Sequence, residues 1–215
     1  QIGANLLQKN NGGLGTLLGG VPGVPGANVV IVGGGIVGAN AARMAAGLGA
    51  HVIVLDVRKD RLNYIDETFA GRVSTMYSNE YNLSKVLKRA DLVISTVLIP
   101  GGRAPKVITE EMVKSMKPGS VIVDVAIDQG GSVETIPHAT THENPVFVKH
   151  GEFHYAVANI PGAVPKTSTY ALTGMTLPYI LEMANLGIRE AMMKDYALLM
   201  GLNTYKGHIT CHGVA

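Results

Sequence analysis

The chain has 215 residues, enough for one well-buried domain with an appendage and short for two full domains. Apolar residues make up 47% and the net charge is +2 with no dense Lys/Arg run, which fits an ordinary globular protein and singles out no polyanion partner. Aromatics are 5% and Trp is absent, so stacking platforms for nucleic acid are not expected; the one cysteine, Cys211, excludes an intrachain disulfide and favours a reducing, cytoplasmic setting.

No apolar run reaches the roughly 18 residues a membrane span needs, and no secretory signal is visible. The chain opens on Gln1, and Ile2 to Gln8 reads like the interior of a helix, so it is expected to be part of a longer protein. Residues 1–26 are expected to form an approach helix and a Gly/Pro-rich loop, a flexible linker being the equal alternative. From residue 27 the texture becomes regular. Asn28 to Val32 is a β-branched apolar run that suits a strand buried on both faces. Residues 36–48 are rich in small side chains and predict a helix. His51 to Asp56 predicts a second strand, and Leu62, Ile65 and Phe69 fall at helical spacing in 58–69. A third strand is expected over 72–76, a helix over 79–89, a fourth strand over 91–95, a short helix over 110–116 and a fifth strand over 120–124. One or two more strands are expected at 146–148 and 155–157. Strands alternating with helices predict an α/β fold, a Rossmann-like doubly wound parallel sheet, over 27–160. Residues 161–215 read as a helical tail, with helices over 167–184 and 188–202; Pro178 either kinks or restarts the first.

Gly33-Gly34-Gly35-Ile36-Val37-Gly38 fits G-x-G-x-x-G between a strand and a helix, and Asp56 ends the next strand 18 residues after Gly38. Gly33 permits the turn, Gly35 lets backbone approach a pyrophosphate, and Gly38 lets the helix sit close to the strand. The helix start offers N–H donors and a positive dipole end to phosphates. Asp56 can accept from ribose hydroxyls and repel a 2′-phosphate, favouring NAD over NADP, although Arg58 works slightly against this.

Ligands of such sheets lie beyond the carboxyl ends of the strands. The loop Thr96 to Gly102 and the stretch Val125 to Gly131 follow strands four and five. Asp128 would stand at the mouth of the crevice, placed to position an amine, a water or a proton; a turn Asp stabilising its own loop is the alternative. His138/His142 and His150/His154 are each spaced by four, as in a helical metal pair. Pro137, Pro145 and Gly151 argue against helices there, and no metal is expected.

Several stretches together resemble the NAD-binding and C-terminal part of L-alanine dehydrogenases: Gly19 to Val24, Gly33 to Gly38, Ala90 to Ile94, Lys117 to Gly131, Val157 to Pro161 and Val164 to Thr173. The resemblance covers essentially the whole chain. It implies reversible NAD-dependent oxidative deamination of L-alanine to pyruvate and ammonia, in a homohexamer, with no nucleic-acid or membrane partner. It implies that Asp128 is the active-site aspartate and that Asp56, Arg61 and Ser78 surround the adenosine. Val97, Leu98, Val125, Ala126, Ile127, Asp128, Val157, Ala158, Asn159 and Ile160 would line the cofactor crevice with Gly33, Gly35, Ile36, Val37 and Gly38. The family's catalytic His, and the Lys and Arg that hold the substrate, lie in a segment preceding the part matched here. The tail would return to pack on that catalytic domain, and the 215 residues alone are expected to turn over weakly or not at all. A transhydrogenase NAD-binding subunit is the second reading, disfavoured by the Val164 to Thr173 block, and an inert NAD-binding module is the third.

Overall fold

The computed structural model describes residues 1–98 and 104–211. They divide into two compact units, one running to Ala158 and one beginning at Asn159.

The first unit is built on a seven-stranded sheet. Its strands are β1 (Asn28–Val32), β2 (His51–Asp56), β3 (Val73–Tyr77), β4 (Leu92–Ser95), β5 (Val121–Asp124), β6 (Val146–Lys149) and β7 (Glu152–Tyr155). The order is β3-β2-β1-β4-β5-β7-β6. All neighbouring pairs are parallel except β6 with β7. This is a Rossmann-like α/β fold. The exception follows from connection length: only His150 and Gly151 join β6 to β7, and a turn that short can only reverse the chain. β7 covers 152–155, three residues ahead of the expected run at 155–157.

Burial explains the strand composition. β1 is buried at four of five positions and β5 at all four, as central parallel strands covered by helices must be. α2 (Ile36–Gly47) meets the sheet through Gly38, Ala42 and Ala45, side chains small enough for a close approach. α3 (Lys59–Phe69) buries Leu62, Ile65 and Phe69, a single stripe at three- and four-residue spacing. α4 (Glu80–Leu87) begins where Asn79 Oδ1 accepts from Asn82 N at 2.8 Å, and α5 (Glu110–Lys114) where Thr109 caps Met112 N at 3.2 Å. The N-terminal stretch is packed into the unit: Leu7 and Leu18 are buried, and α1 (Ile2–Leu6) brings Gly3 against Leu92.

The second unit holds α6 (Pro165–Leu186), α7 (Ile188–Lys194), α8 (Tyr196–Met200) and a small antiparallel hairpin of β8 (Thr204–Tyr205) and β9 (His208–Ile209). α6 runs continuously through Pro178. No described helix is long and apolar enough to cross a membrane.

The four histidines of the i, i+4 pairs lie on turns and strands rather than helices. His150 turns the β6–β7 connection and meets Glu110 at 2.6 Å. His154 is fully buried in β7, stacked on Phe147. Its Nδ1 faces Glu152 O at 3.0 Å and its Nε2 faces Thr135 Oγ1 at 2.8 Å, so Nδ1 carries the proton and Thr135 donates to Nε2. Burial pushes its pKa down to about 4 from 6.5. Between those values the unfolded chain binds a proton that the folded chain refuses, so stability falls as pH falls from about 6.5 towards 4, by up to about 3 kcal/mol. Urea unfolding at pH 7 and pH 5 should show the parent losing about 2 kcal/mol more than His154→Gln. That comparison cancels Asp124 and Glu152, whose carboxyls burial pushes up and which act in the opposite sense. Equal losses in parent and variant would rule out the assignment.

Candidate functional site

The chain reverses its direction of build between β1 and β4: β2 and β3 lie to one side, β5 and β7 to the other. The crevice at such a switch point opens beyond the carboxyl ends of the strands. Gly33 leaves β1 there, with φ +105°. Thr96, just past β4, donates from Oγ1 to Gly33 O at 2.9 Å, and its N–H donates to Val32 O at 2.8 Å.

The three fingerprint glycines have different surroundings. A Cβ on Gly33 would meet Thr96 Oγ1 at 2.8 Å. One on Gly38 would stand 1.8 Å from Gly33 O, so the start of α2 lies directly against the end of β1. One on Gly35 would meet nothing within 4 Å. Gly35 is the N-cap of α2, and no side chain caps the helix. Ile36 and Val37, in its first turn, are exposed at 80% and 50%, leaving apolar surface beside an open cradle of backbone.

Asp56 ends β2 and is buried. Its Oδ2 accepts from Gly34 N at 2.6 Å and its Oδ1 from Arg58 N at 2.8 Å. Arg61 donates from Nε to Gly34 O at 2.8 Å and rests over the Tyr64 ring. Gly34 is thus held at both its N–H and its carbonyl. Ser78, just past β3, donates its N–H to Asp56 O at 3.0 Å. The fold therefore gathers Gly33 to Gly38, Asp56, Arg61 and Ser78 around one loop, and Thr96 joins them.

Beyond β5, Val125 to Gln129 form a single 3₁₀ turn; Ala126 and Ile127 are buried and Asp128 is exposed. The stabiliser of that turn is Asp124, which sequence reading passed over. Asp124 is fully buried at the end of β5; its Oδ1 accepts from Ala126 N at 3.1 Å, and its Oδ2 from Ser132 N at 2.8 Å and Val133 N at 3.2 Å. Burial raises its pKa, and the amides of Ser132, Ala126 and Val133 and the nearby Lys106 pull it back. Val97 is half-buried against the core and Leu98 is exposed; Ile99, Pro100, Gly101 and Gly102 lie outside the described residues. Val157 is buried and bridges to Thr140, and Ala158 is exposed. Asn159, with φ +55°, and Ile160 fall in the second unit.

Residues 1–212 match the model of the family described as alanine dehydrogenase/PNT, C-terminal domain. The chain belongs to that family. It is similar to an alanine dehydrogenase of Methanococcus maripaludis, 61% identical over all 215 residues and 58% of the relative's length. The chain therefore spans less than two thirds of the curated relatives it matches. A solved L-alanine dehydrogenase structure superposes with a TM-score of 0.91 at 48% identity, covering 100% of this chain and 59% of that one. The transhydrogenase of Sinorhizobium meliloti gives a TM-score of 0.57 at 30% identity, over 66% of this chain and 41% of that one. The likeness to the L-alanine dehydrogenase structure covers more of this chain than the likeness to the transhydrogenase.

Proposed function

We propose that this chain is the NAD-binding part of an L-alanine dehydrogenase, acting in a cytoplasmic homo-oligomer on L-alanine, pyruvate and ammonia. One observation carries the reading. A glycine loop with an open cradle at Gly35 sits at the switch point of the sheet, in a chain that is 61% identical over its 215 residues to 58% of a named alanine dehydrogenase.

The residues fit the cofactor. Backbone at Gly35 to Val37 and the start of α2 would receive the pyrophosphate, since no side chain of the protein fills that space. Asp56 keeps lone pairs beyond the two amides it already holds and would accept from a ribose hydroxyl, with Arg61 and Ser78 fixing its surroundings. Val97, Leu98, Val125 to Ile127, Val157 and Ala158 would line the remainder of the crevice. NAD, when bound, supplies an acceptor for the two electrons leaving the amino acid. Asp128 is exposed beyond β5 on the same strand-end edge as the glycine loop, where its carboxylate can orient an ammonium group or take up a proton from it or from an attacking water. The transhydrogenase reading has the weaker support, because the likeness covers only two thirds of the chain.

The test is made on the intact protein. NAD at about 100 times its Kd should stabilise it by about 3 kcal/mol, read as a rise in melting temperature. Alanine with NAD should then produce NADH absorbance at 340 nm. Asp128→Asn should lower that turnover about 100-fold or more while leaving the NAD-induced melting shift in place. An unmoved melt removes NAD from the reading; a shift with no alanine-dependent NADH removes alanine.

A further inference from the structure

The loop that carries Asp128 is wrapped around a buried carboxylate. Residues 125 to 133 leave β5 at Asp124, make one 3₁₀ turn, and come back through Gly130 at φ +90° and Gly131 at φ +67°. The return brings the Ser132 and Val133 amides onto Asp124 Oδ2, while Oδ1 holds Ala126 N at the start of the turn. The fit is close: a Cβ on Gly131 would stand 2.8 Å from Asp124 Oδ2. On the outside, the exposed Lys106 closes the same loop, donating from Nζ to Gly130 O at 2.9 Å, Val133 O at 3.0 Å and Ile136 O at 3.4 Å. Inside, the Ser132 hydroxyl hydrogen-bonds that of Ser95, the last residue of β4, next to the Thr96 that holds Gly33. Amide donors converge on an anion at the core of the loop, and carbonyl acceptors converge on a cation at its rim. Asp128 is exposed on the 3₁₀ turn of this loop.

We propose that Asp124 and Lys106 are positioning residues that set the placement of Asp128, an inference that rests on the catalytic role proposed for Asp128. Neither needs to touch the substrate. Asp124 fixes where the turn begins and where it returns, and Lys106 fixes the carbonyls of its far limb. A displacement of about 1 Å at a reacting group can cost on the order of 100-fold in rate without altering the binding of a ligand seated elsewhere. The glycine loop hangs on Asp56, Arg61 and Thr96, and Lys106 holds only the far limb of the turn, beyond the Val125 to Ile127 stretch that would line the crevice, so NAD binding should be insensitive to Lys106.

The experiment is steady-state kinetics on the intact protein. Lys106→Met keeps the aliphatic stem, removes the donors and lies at the surface, so it keeps the fold. It should lower kcat about fivefold or more, with KM for NAD and the melting temperature unchanged, and Lys106→Arg should restore kcat. Asp124→Asn leaves an amide group facing amide donors and should lower kcat about 10- to 100-fold. In an Asp128→Asn background the Lys106→Met substitution should cost nothing further, because the group being positioned is gone. Unchanged kcat in Lys106→Met, or a loss that multiplies in the Asp128→Asn background, overturns the proposal. Full turnover in Asp128→Asn alone overturns the role of Asp128 and the proposal with it, and is told apart because that variant leaves the loop's bracing intact.

Discussion

Replacing Gly38 with valine should leave little folded protein, whereas Gly35→Ala should fold normally and lose NAD. The contrast comes from what each missing side chain makes room for. At Gly38 a Cβ would lie 1.8 Å from Gly33 O and 3.0 Å from Thr96 Oγ1. Neither neighbour can yield. The Gly33 carbonyl accepts from Thr96, and α2 is pressed on the sheet through Ala42 and Ala45. Lifting the helix would open the core beneath it, and overpacking against backbone costs more than the ~1–3 kcal/mol usual for side chains. Gly38→Ala should already lower the melting temperature by several degrees in the absence of any ligand. Gly35 is different. Its φ of −67° is open to any residue, and nothing of the protein lies within 4 Å of its Cβ position. An alanine there costs the fold little more than a weaker N-cap. The protein itself gives no reason for glycine at 35; a ligand approaching the backbone does. Thermal melts with and without NAD separate the two. Gly35→Ala should melt like the parent alone and lose at least tenfold in NAD affinity. NAD binding undiminished in Gly35→Ala would remove the pyrophosphate from this loop.

The elements that carry this site were legible because their signals are local. β1, β2 and β5 are unbroken apolar runs, α3 is a one-faced stripe, and the fingerprint sits where its mechanism needs it, between a strand and a helix. What escaped were features set by residues distant in sequence. Asp124 read only as the end of a strand, while Asp128 read as a residue at the crevice mouth with a turn aspartate stabilising its own loop as the alternative. Which of them the loop wraps is decided by Ser132, Val133 and Lys106, and only the two glycines at 130 and 131 hinted at a tight return. His154 was read only for its spacing from His150; its burial comes from its place in β7, between β5 and the edge strand β6. The packing of Leu18 was hidden among glycines and prolines that suit a linker equally well. Pro178 was expected to kink or restart a helix; α6 continues through it, which excludes the restart, the loss of one backbone hydrogen bond being tolerable in a helix of 22 residues.

Asp56→Lys should abolish NAD binding and destabilise the protein, and its milder relatives can separate two roles that the sequence merged into one. The fingerprint assigns the carboxylate to a ribose, but here it also builds the loop. Its two oxygens hold Gly34 N and Arg58 N, and Arg61 holds the Gly34 carbonyl. A lysine at 56 would bury an ammonium among N–H donors, leaving both amides without an acceptor, at a cost of several kcal/mol. Asp56→Asn keeps one acceptor oxygen and loses the charge; it should weaken NAD about 10-fold, the worth of a charge-assisted hydrogen bond. It should also narrow the preference for NAD over NADP, because nothing then repels the 2′-phosphate. Arg61→Met loosens the loop while leaving the carboxylate charge in place. If Asp56 serves the loop alone, Asp56→Asn and Arg61→Met should weaken NAD alike and leave the NAD/NADP ratio unchanged. If it also clasps the sugar, only Asp56→Asn moves that ratio. The hydrogen-bonding capacity left on the carboxylate favours the second result, and isothermal titration of both dinucleotides against the three variants reads it directly. Parent-like NAD affinity in Asp56→Lys would mean that the dinucleotide binds elsewhere.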